Sequence, residues 1–145
     1  MTIAISSHGT LLYREVPVGS NTWEEIAEQG DLVPPETMRN EFDASVHNRN
    51  IDDYVLGIFR RGATTMPLNF LPTNGTHDHL TGLYKDQIDN TIRGYKVVYP
   101  DTTEWILSGQ VKNIAPKAPV DGKLAADVTF RFSGLMMIDG VVIGA

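Results

Sequence analysis

The feature that most restricts the possible folds of this chain is the strict alternation in residues 125–134, AADVTFRFSG. A period of two between apolar and polar residues is typical of a strand with one buried face. The buried face would hold Ala126, Val128, Phe130 and Phe132. The opposite face would present Asp127, Thr129, Arg131 and Ser133 to water or to polar groups of a neighbour.

Other segments also read as strands. Residues 92–114 show period two on both sides of Asp101-Thr102-Thr103 and therefore predict a hairpin. The second strand of this hairpin would bury Trp105, Leu107, Gly109 and Val111. Further strands are predicted at residues 10–16, 42–46 and 66–71, and the C-terminal LMMIDGVVIGA predicts strand, Asp-Gly turn, strand.

Residues 76–88 are the best candidate for a helix. Thr76 is a suitable N-cap, and Asp78 suits the positive end of the helix dipole. One face at helical spacing carries Leu80, Leu83, Tyr84 and Ile88. We predict a structured loop at residues 18–42, in which a helical turn could begin at Thr22, and a long loop at about 47–65.

These elements predict one domain over residues 1–145 of the mostly β class, a β-sandwich or barrel with one flanking α-helix. The 12 Lys and Arg against 18 Asp and Glu give a net charge of −6, which argues against tight binding of nucleic acid. The absence of Cys excludes disulfides and thiolate metal sites. We see no secretory signal and no stretch approaching 18 apolar residues, and we expect no membrane insertion.

None of the polar clusters has the spacing that catalysis or metal binding needs. In a helix His77 and His79 would point about 200° apart, which disfavours chelation of one ion. A Ser-His-Asp arrangement around His47 lacks the Gly-x-Ser-x-Gly elbow. No carboxylate pair stands out among Glu24, Glu25, Glu28, Asp31, Asp52 and Asp53. We therefore predict no enzyme activity and no cofactor.

The loop and strand at residues 115–134 also carry a resemblance to a known family. The run APVDGKLAADVT at 118–129, followed by Ser133-Gly134, resembles the tail tube proteins (major tail proteins) of long-tailed, non-contractile bacteriophages. Similar matches occur in the same order: WEEI at 23–26 ahead of Asp31, DASVH at 43–47, LGI at 56–58, and the predicted helix before the long hairpin. The chain departs from the family at Gly122 and at Arg60-Arg61, where acids are expected.

The resemblance implies a β-sandwich flanked by a helix, six copies in a ring, and rings stacked into a hollow tube that conducts phage DNA without binding it specifically. Strands of all six subunits would join into one barrel around the lumen. It also implies assembly in the bacterial host cytoplasm, a place in the virion tail, and a tape-measure protein and a tail terminator as partners.

On this reading, the subunit or ring interface would include Tyr54, Leu56, Ile58, Phe59, Pro119, Val120 and Asp121. The lumen or the outer wall would include Asp127, Thr129 and Arg131. Pro116 and Pro119 would stiffen the loop at 115–123, so that docking costs less entropy. Two other classes stay open: a related ring-forming conduit, such as a tail terminator or a secretion-system tube protein, and an enzyme or ligand-binding β-sandwich that uses His47 and the acids.

Overall fold

The computed structural model describes residues 4–6 and 8–143 of the chain. Within them, the elements in chain order are β1 (Leu11–Glu15), β2 (Trp23–Glu25), β3 (Thr37–Asp43), β4 (Tyr54–Arg61), β5 (Ala63–Asn69), α1 (Leu83–Asp89), β6 (Arg93–Val98), β7 (Glu104–Lys117), β8 (Ala125–Ile138) and β9 (Val141–Ile143). This composition confirms the predicted class, mostly β with one flanking helix. No helix in the described ranges has the length and apolar character needed to cross a bilayer.

Seven strands form one antiparallel sheet in the order β2-β1-β6-β7-β8-β5, with β9 paired to β8. Residues 26–33 join the two ends of this sheet. On the β5 side, Gln29 and Val33 form bridges to Leu68 and Thr65. On the β1 side, the Gln29 carboxamide accepts from Leu12 N at 2.8 Å and donates to Leu12 O at 3.1 Å. The sheet therefore closes on itself around the core.

The core lies on the face of the sheet that β7 and β8 were predicted to bury. All four predicted residues of β8 are buried, as are Leu107, Gly109 and Val111 on β7, while Trp105 is half-buried. A Cβ at Gly109 would come within 2.6 Å of the Phe132 ring, so this close approach of two strands requires glycine. Tyr95 packs on Phe130 with ring centroids 4.9 Å apart. The alternation therefore predicted the core correctly.

Both long strands run further than predicted. Strand β7 continues to Lys117, which pairs with Ala125, so the loop predicted at 115–123 is limited to 118–124. Strand β8 passes Ser133-Gly134 through an irregularity: Ser108 pairs with Ser133, but Leu107 pairs with Met136. The strand, Asp-Gly turn, strand prediction for the C-terminal segment is confirmed to residue 143; residues 144 and 145 lie outside the described residues.

Several predictions between residues 17 and 65 were wrong. The helical turn at Thr22 is absent, because residues 23–25 form β2. The third strand covers residues 37–43 instead of 42–46, and the predicted loop at 47–65 contains β4 and the start of β5. Strands β3 and β4 form a separate two-stranded sheet, and every residue of β3 is exposed. A strand without a buried face does not show the alternation of apolar and polar residues from which strands are predicted.

The helix is shorter than predicted and begins at Leu83 instead of Thr76. One carboxylate oxygen of Asp78 accepts the N–H groups of Leu80, Thr81 and Gly82, which holds this segment in a turn. Leu83 is buried and Tyr84 half-buried as expected, but the other two residues of the predicted apolar face are exposed. These two are Leu80 and Ile88.

Candidate assembly surfaces

The β3–β4 hairpin carries many of the exposed apolar side chains of the described residues. Its two strands and the connecting loop carry the exposed side chains Met38, Phe42, Val46, Ile51, Tyr54, Val55, Leu56 and Ile58. An isolated two-stranded sheet is marginally stable in water. Large exposed apolar patches mark surfaces at which proteins associate. The hairpin is therefore suited to being covered by another molecule.

Both faces of this hairpin are apolar. Directly opposite residues of an antiparallel pair share a face, and the next pair lies on the other face. Phe42 is opposite Val55, while Leu56 is opposite Glu41. The Phe42 ring lies against Gly57, where an added Cβ would approach it to 2.9 Å. A partner on one side alone would leave the other apolar face in water.

The base of the hairpin is fixed to the body of the protein. Phe59 is half-buried and packs against the hydrophobic core. The Arg39 guanidinium lies 5.8 Å from the Phe59 ring centroid and donates to Gly57 O at 3.1 Å. Of the four hairpin residues predicted at an interface, Phe59 is thus anchored in its own chain. Tyr54, Leu56 and Ile58 are exposed.

The loop at 118–124 places its predicted interface residues in the solvent. Val120 is 99% exposed, and Pro119 and Asp121 are exposed beside it. A Cβ at Gly122 would lie 2.9 Å from the Pro119 ring, so the glycine, which departs from the family pattern, keeps the loop tight. The loop presents an apolar tip on a short, compact turn.

The three residues predicted on the lumen or the outer wall share the polar face of β8 but differ in their contacts. Asp127 pairs with Lys117 at 2.6 Å across the strand pair. Thr129 is half-buried, and Arg131 is exposed and has no ion-pair partner among the described residues. Arg131 is therefore the charge on this face that is free to meet another molecule.

A buried ionic cluster attaches α1 to the sheet. Asp86 is 1% exposed and accepts two hydrogen bonds from Arg93, from Nε at 3.1 Å and Nη2 at 2.9 Å. Arg14 Nη1 donates to the same carboxylate at 3.4 Å. Burial raises the pKa of the nearby Tyr95 hydroxyl, and the charge of Asp86 adds to the effect. Sequence reasoning missed this cluster, because 72 residues separate Arg14 from Asp86.

His77 links two loops instead of serving as a metal ligand. Its side chain is buried; Nδ1 accepts from Leu71 N at 3.1 Å, and Nε2 lies 2.7 Å from Ala27 O. A neutral ring with its proton on Nε2 satisfies both contacts. Burial lowers the pKa of His77, and the contact with Ala27 opposes this effect only in part. The folded state therefore favours the neutral ring.

We expect this burial to make stability depend on pH. The unfolded chain binds the proton on His77 more tightly than the folded chain, so the unfolding free energy is level above about pH 6.5 and falls as the pH decreases below it. Denaturant unfolding at pH 5.0–7.5 measures this slope. His77→Gln should flatten it, and the exposed His79→Gln is the matched control. An unchanged slope in the His77 variant would contradict this assignment.

The other residues considered for chemistry do not converge. Asp43 accepts a hydrogen bond from Ser45 N at 2.9 Å within a turn, and His47 lies exposed further along the same loop. In the ranges that the structure describes, no three His, Asp or Glu side chains are grouped to hold a metal ion. A groove of about 960 Å³ is lined by residues 5–6, 8–11, 29–32, 34 and 99–100. Its lining includes His8 and Asp31 but no residue of the Asp43–His47 segment.

Comparison with known proteins gives one family and several similar structures. The family model described as lambda phage tail tube protein (TTP) matches residues 7–138. No curated protein sequence matches the chain significantly. A chain from the tail of an empty gene transfer agent (GTA) particle, computed with helical refinement in C6 symmetry, is similar with a TM-score of 0.76 and 14% identity, over 92% of this chain and 98% of that one.

Two further solved structures have the same fold. A chain in the six-fold symmetrised baseplate of the anti-feeding prophage (AFP) has a TM-score of 0.69 and 15% identity, with 97% of this chain and 99% of that one covered. A chain in the PVC sheath/tube terminator of an extracellular contractile injection system has a TM-score of 0.69 and 10% identity, with 95% and 98% covered. At these identities the likeness concerns the fold.

Proposed function

Because the chain belongs to the lambda phage tail tube protein family, we propose that its copies form six-membered rings that stack into a hollow tail tube conducting phage DNA to the host cell. The observation that carries this proposal is the β3–β4 hairpin, which exposes apolar side chains on both of its faces. The C6 symmetry of the GTA tail, which contains a similar chain, supports a ring of six.

In this tube the hairpin and the 118–124 loop contact neighbouring subunits. Tyr54, Leu56 and Ile58 supply the apolar surface of the hairpin, and Phe59 holds its base. Pro119, Val120 and Asp121 supply the second contact. The polar face of β8, with Asp127, Thr129 and Arg131, lies toward the lumen or the outer wall. These roles follow from exposure and from the resemblance of the chain to its family.

The role is mechanical and needs neither catalysis nor a cofactor. The virus would be a long-tailed, non-contractile phage (a siphovirus), and the tail would be assembled in the cytoplasm of the bacterial host. A tape-measure protein and a tail terminator would be the other partners, and DNA would pass without specific binding. The net charge of −6 supports this last point, because it disfavours adhesion of phosphates.

A second candidate is a related ring-forming conduit, a tail terminator or a secretion-system tube protein. The similar chain in the PVC sheath/tube terminator structure favours it. A terminator forms a ring that does not polymerise, whereas a tube protein forms stacked rings. The two candidates therefore differ in the length of the particles that the purified protein makes.

Negative-stain electron microscopy with mass measurement of the purified protein tests the proposal. We expect hollow tubes of variable length built from a repeating ring. Isolated rings of one size would favour the terminator. Monomers at every concentration and ionic strength, also after prolonged incubation, would contradict both candidates.

A further inference from the structure

The negative charge of the chain is concentrated in one segment. Residues 15–36 contain six acids and no Lys or Arg, and the remainder contains 12 acids and 12 Lys or Arg, so 12 − 12 = 0 there and the segment accounts for the whole net charge of −6. In this segment Glu24 lies 3.9 Å from Arg14. Glu25 and Glu28 are exposed and have no Lys or Arg partner among the described residues, and Glu28 accepts a hydrogen bond from the Asn69 amide at 3.3 Å. We call these two residues the acidic edge.

Two exposed arginines have no carboxylate partner among the described residues. Arg60 and Arg131 form no ion pair or side-chain hydrogen bond with the described residues. Arg131 is opposite Ala63 at the start of β5, and Arg60 lies three residues before Ala63 near the end of β4, so both are near the junction of these two strands. We call them the arginine pair. Arg60 is flanked by the exposed Ile58 and is opposite the exposed Met38.

The arginine pair and the acidic edge lie at opposite ends of strand β5. Arg131 is opposite Ala63 at the start of β5, and Glu28 O accepts from Asn69 N at its end. Six residue steps along a strand are about 20 Å. The Debye length at physiological ionic strength is about 8 Å. The two sets of charges therefore cannot neutralise each other within one molecule.

We propose that the arginine pair of one subunit docks on the acidic edge of a second copy of this chain. This contact rests on the proposed function. It assigns the acidic edge of a neighbouring subunit as the surface that meets the base of the hairpin. Arginine binds carboxylates through paired, charge-assisted hydrogen bonds. A contact between two different surfaces repeats head to tail, which is the contact that builds rings and filaments. A nucleic acid on the arginine pair would leave Ile58 and Met38 in water and the acidic edge unpaired.

Charge reversal tests the proposal on the full chain. One variant carries Arg60→Glu and Arg131→Glu, a second carries Glu25→Lys and Glu28→Lys, and a third carries all four changes. Since like charges facing each other disfavour association, each two-site variant should raise the critical concentration for assembly about tenfold or more. The four-site variant should assemble as the wild type does, because both charges of each contact are reversed. It should fail to co-assemble with the wild type.

Lys85→Glu with Lys112→Glu is the matched control for the arginine variant, with the same change in net charge at two other sites. It should assemble normally, and all variants should melt close to the wild type. The proposal would be overturned if the two-site variants assembled like the wild type, or if the four-site variant had a critical concentration as high as theirs. Tubes of the wild type would still support the proposed function in either case. Normal assembly of the arginine variant with loss of binding to a short DNA duplex would also overturn it, in favour of a nucleic-acid site.

Discussion

A Leu56→Asp/Ile58→Asp variant is expected to remain a folded monomer and to form no tubes. The two side chains are 61% and 72% exposed, so the isolated subunit loses little when they become polar. In an assembled tube each would contribute about 1.5–3 kcal/mol if fully buried. Losing both weakens a contact by roughly 10²- to 10⁴-fold, before the cost of burying two carboxylates is added. Sedimentation and electron microscopy measure the loss.

The matched control is Leu80→Asp/Ile88→Asp, because these side chains are 66% and 69% exposed but lie outside the hairpin. The control should assemble. Phe59 is unsuitable for this test, since it packs against the core and its replacement would also destabilise the monomer. Tubes of normal length from the Leu56/Ile58 variant would show that the hairpin is not an assembly surface.

An Asp86→Ala variant is expected to lose about 3–5 kcal/mol of unfolding free energy, the usual cost of removing one partner of a buried ion pair. The substitution leaves the guanidinium groups of Arg14 and Arg93 buried without their shared carboxylate. For a chain of this length the melting temperature should fall on the order of 10 °C. Denaturant unfolding and thermal melting measure the two quantities.

Asp89→Ala is the control for this experiment. Asp89 lies on the same helix and pairs with Lys85 at 2.7 Å, but both side chains are about half exposed. A surface pair of this kind contributes about 0.3–0.5 kcal/mol. If Asp86→Ala destabilised the protein no more than Asp89→Ala, the ionic cluster would not be what attaches the helix to the sheet.

The core could be predicted from the sequence because its strands have one buried and one exposed face. Residues 125–134 and 104–111 alternate apolar and polar residues, and the structure buries the predicted side. The ends of these strands could not be predicted in the same way. Pro116 lies within β7 although proline is disfavoured in central strands, and an irregularity carries β8 past Gly134.

Local sequence patterns could not predict the hairpin or the way in which the helix is attached to the sheet. Strands β3 and β4 expose apolar side chains on both faces, so the segment shows no period of two and was predicted mostly as a loop. The helix is held by Asp86 together with an apolar contact at Leu83, whereas the prediction assumed a continuous apolar face. Long-range ion pairs such as Arg14 with Asp86 cannot be predicted from the spacing of residues in the sequence. The resemblance to a family was what indicated stacked rings of six subunits.

Hydrogen–deuterium exchange, compared between assembled particles and unassembled subunits, tests most directly whether copies of this chain cover the hairpin of their neighbours. We predict that amides of residues 37–43 and 54–61 exchange far more slowly in the particles, while those of the core strands β7 and β8 exchange slowly in both states. Equal exchange of the hairpin amides in the two states would contradict the account, because the apolar sheet would then stay uncovered in the assembly.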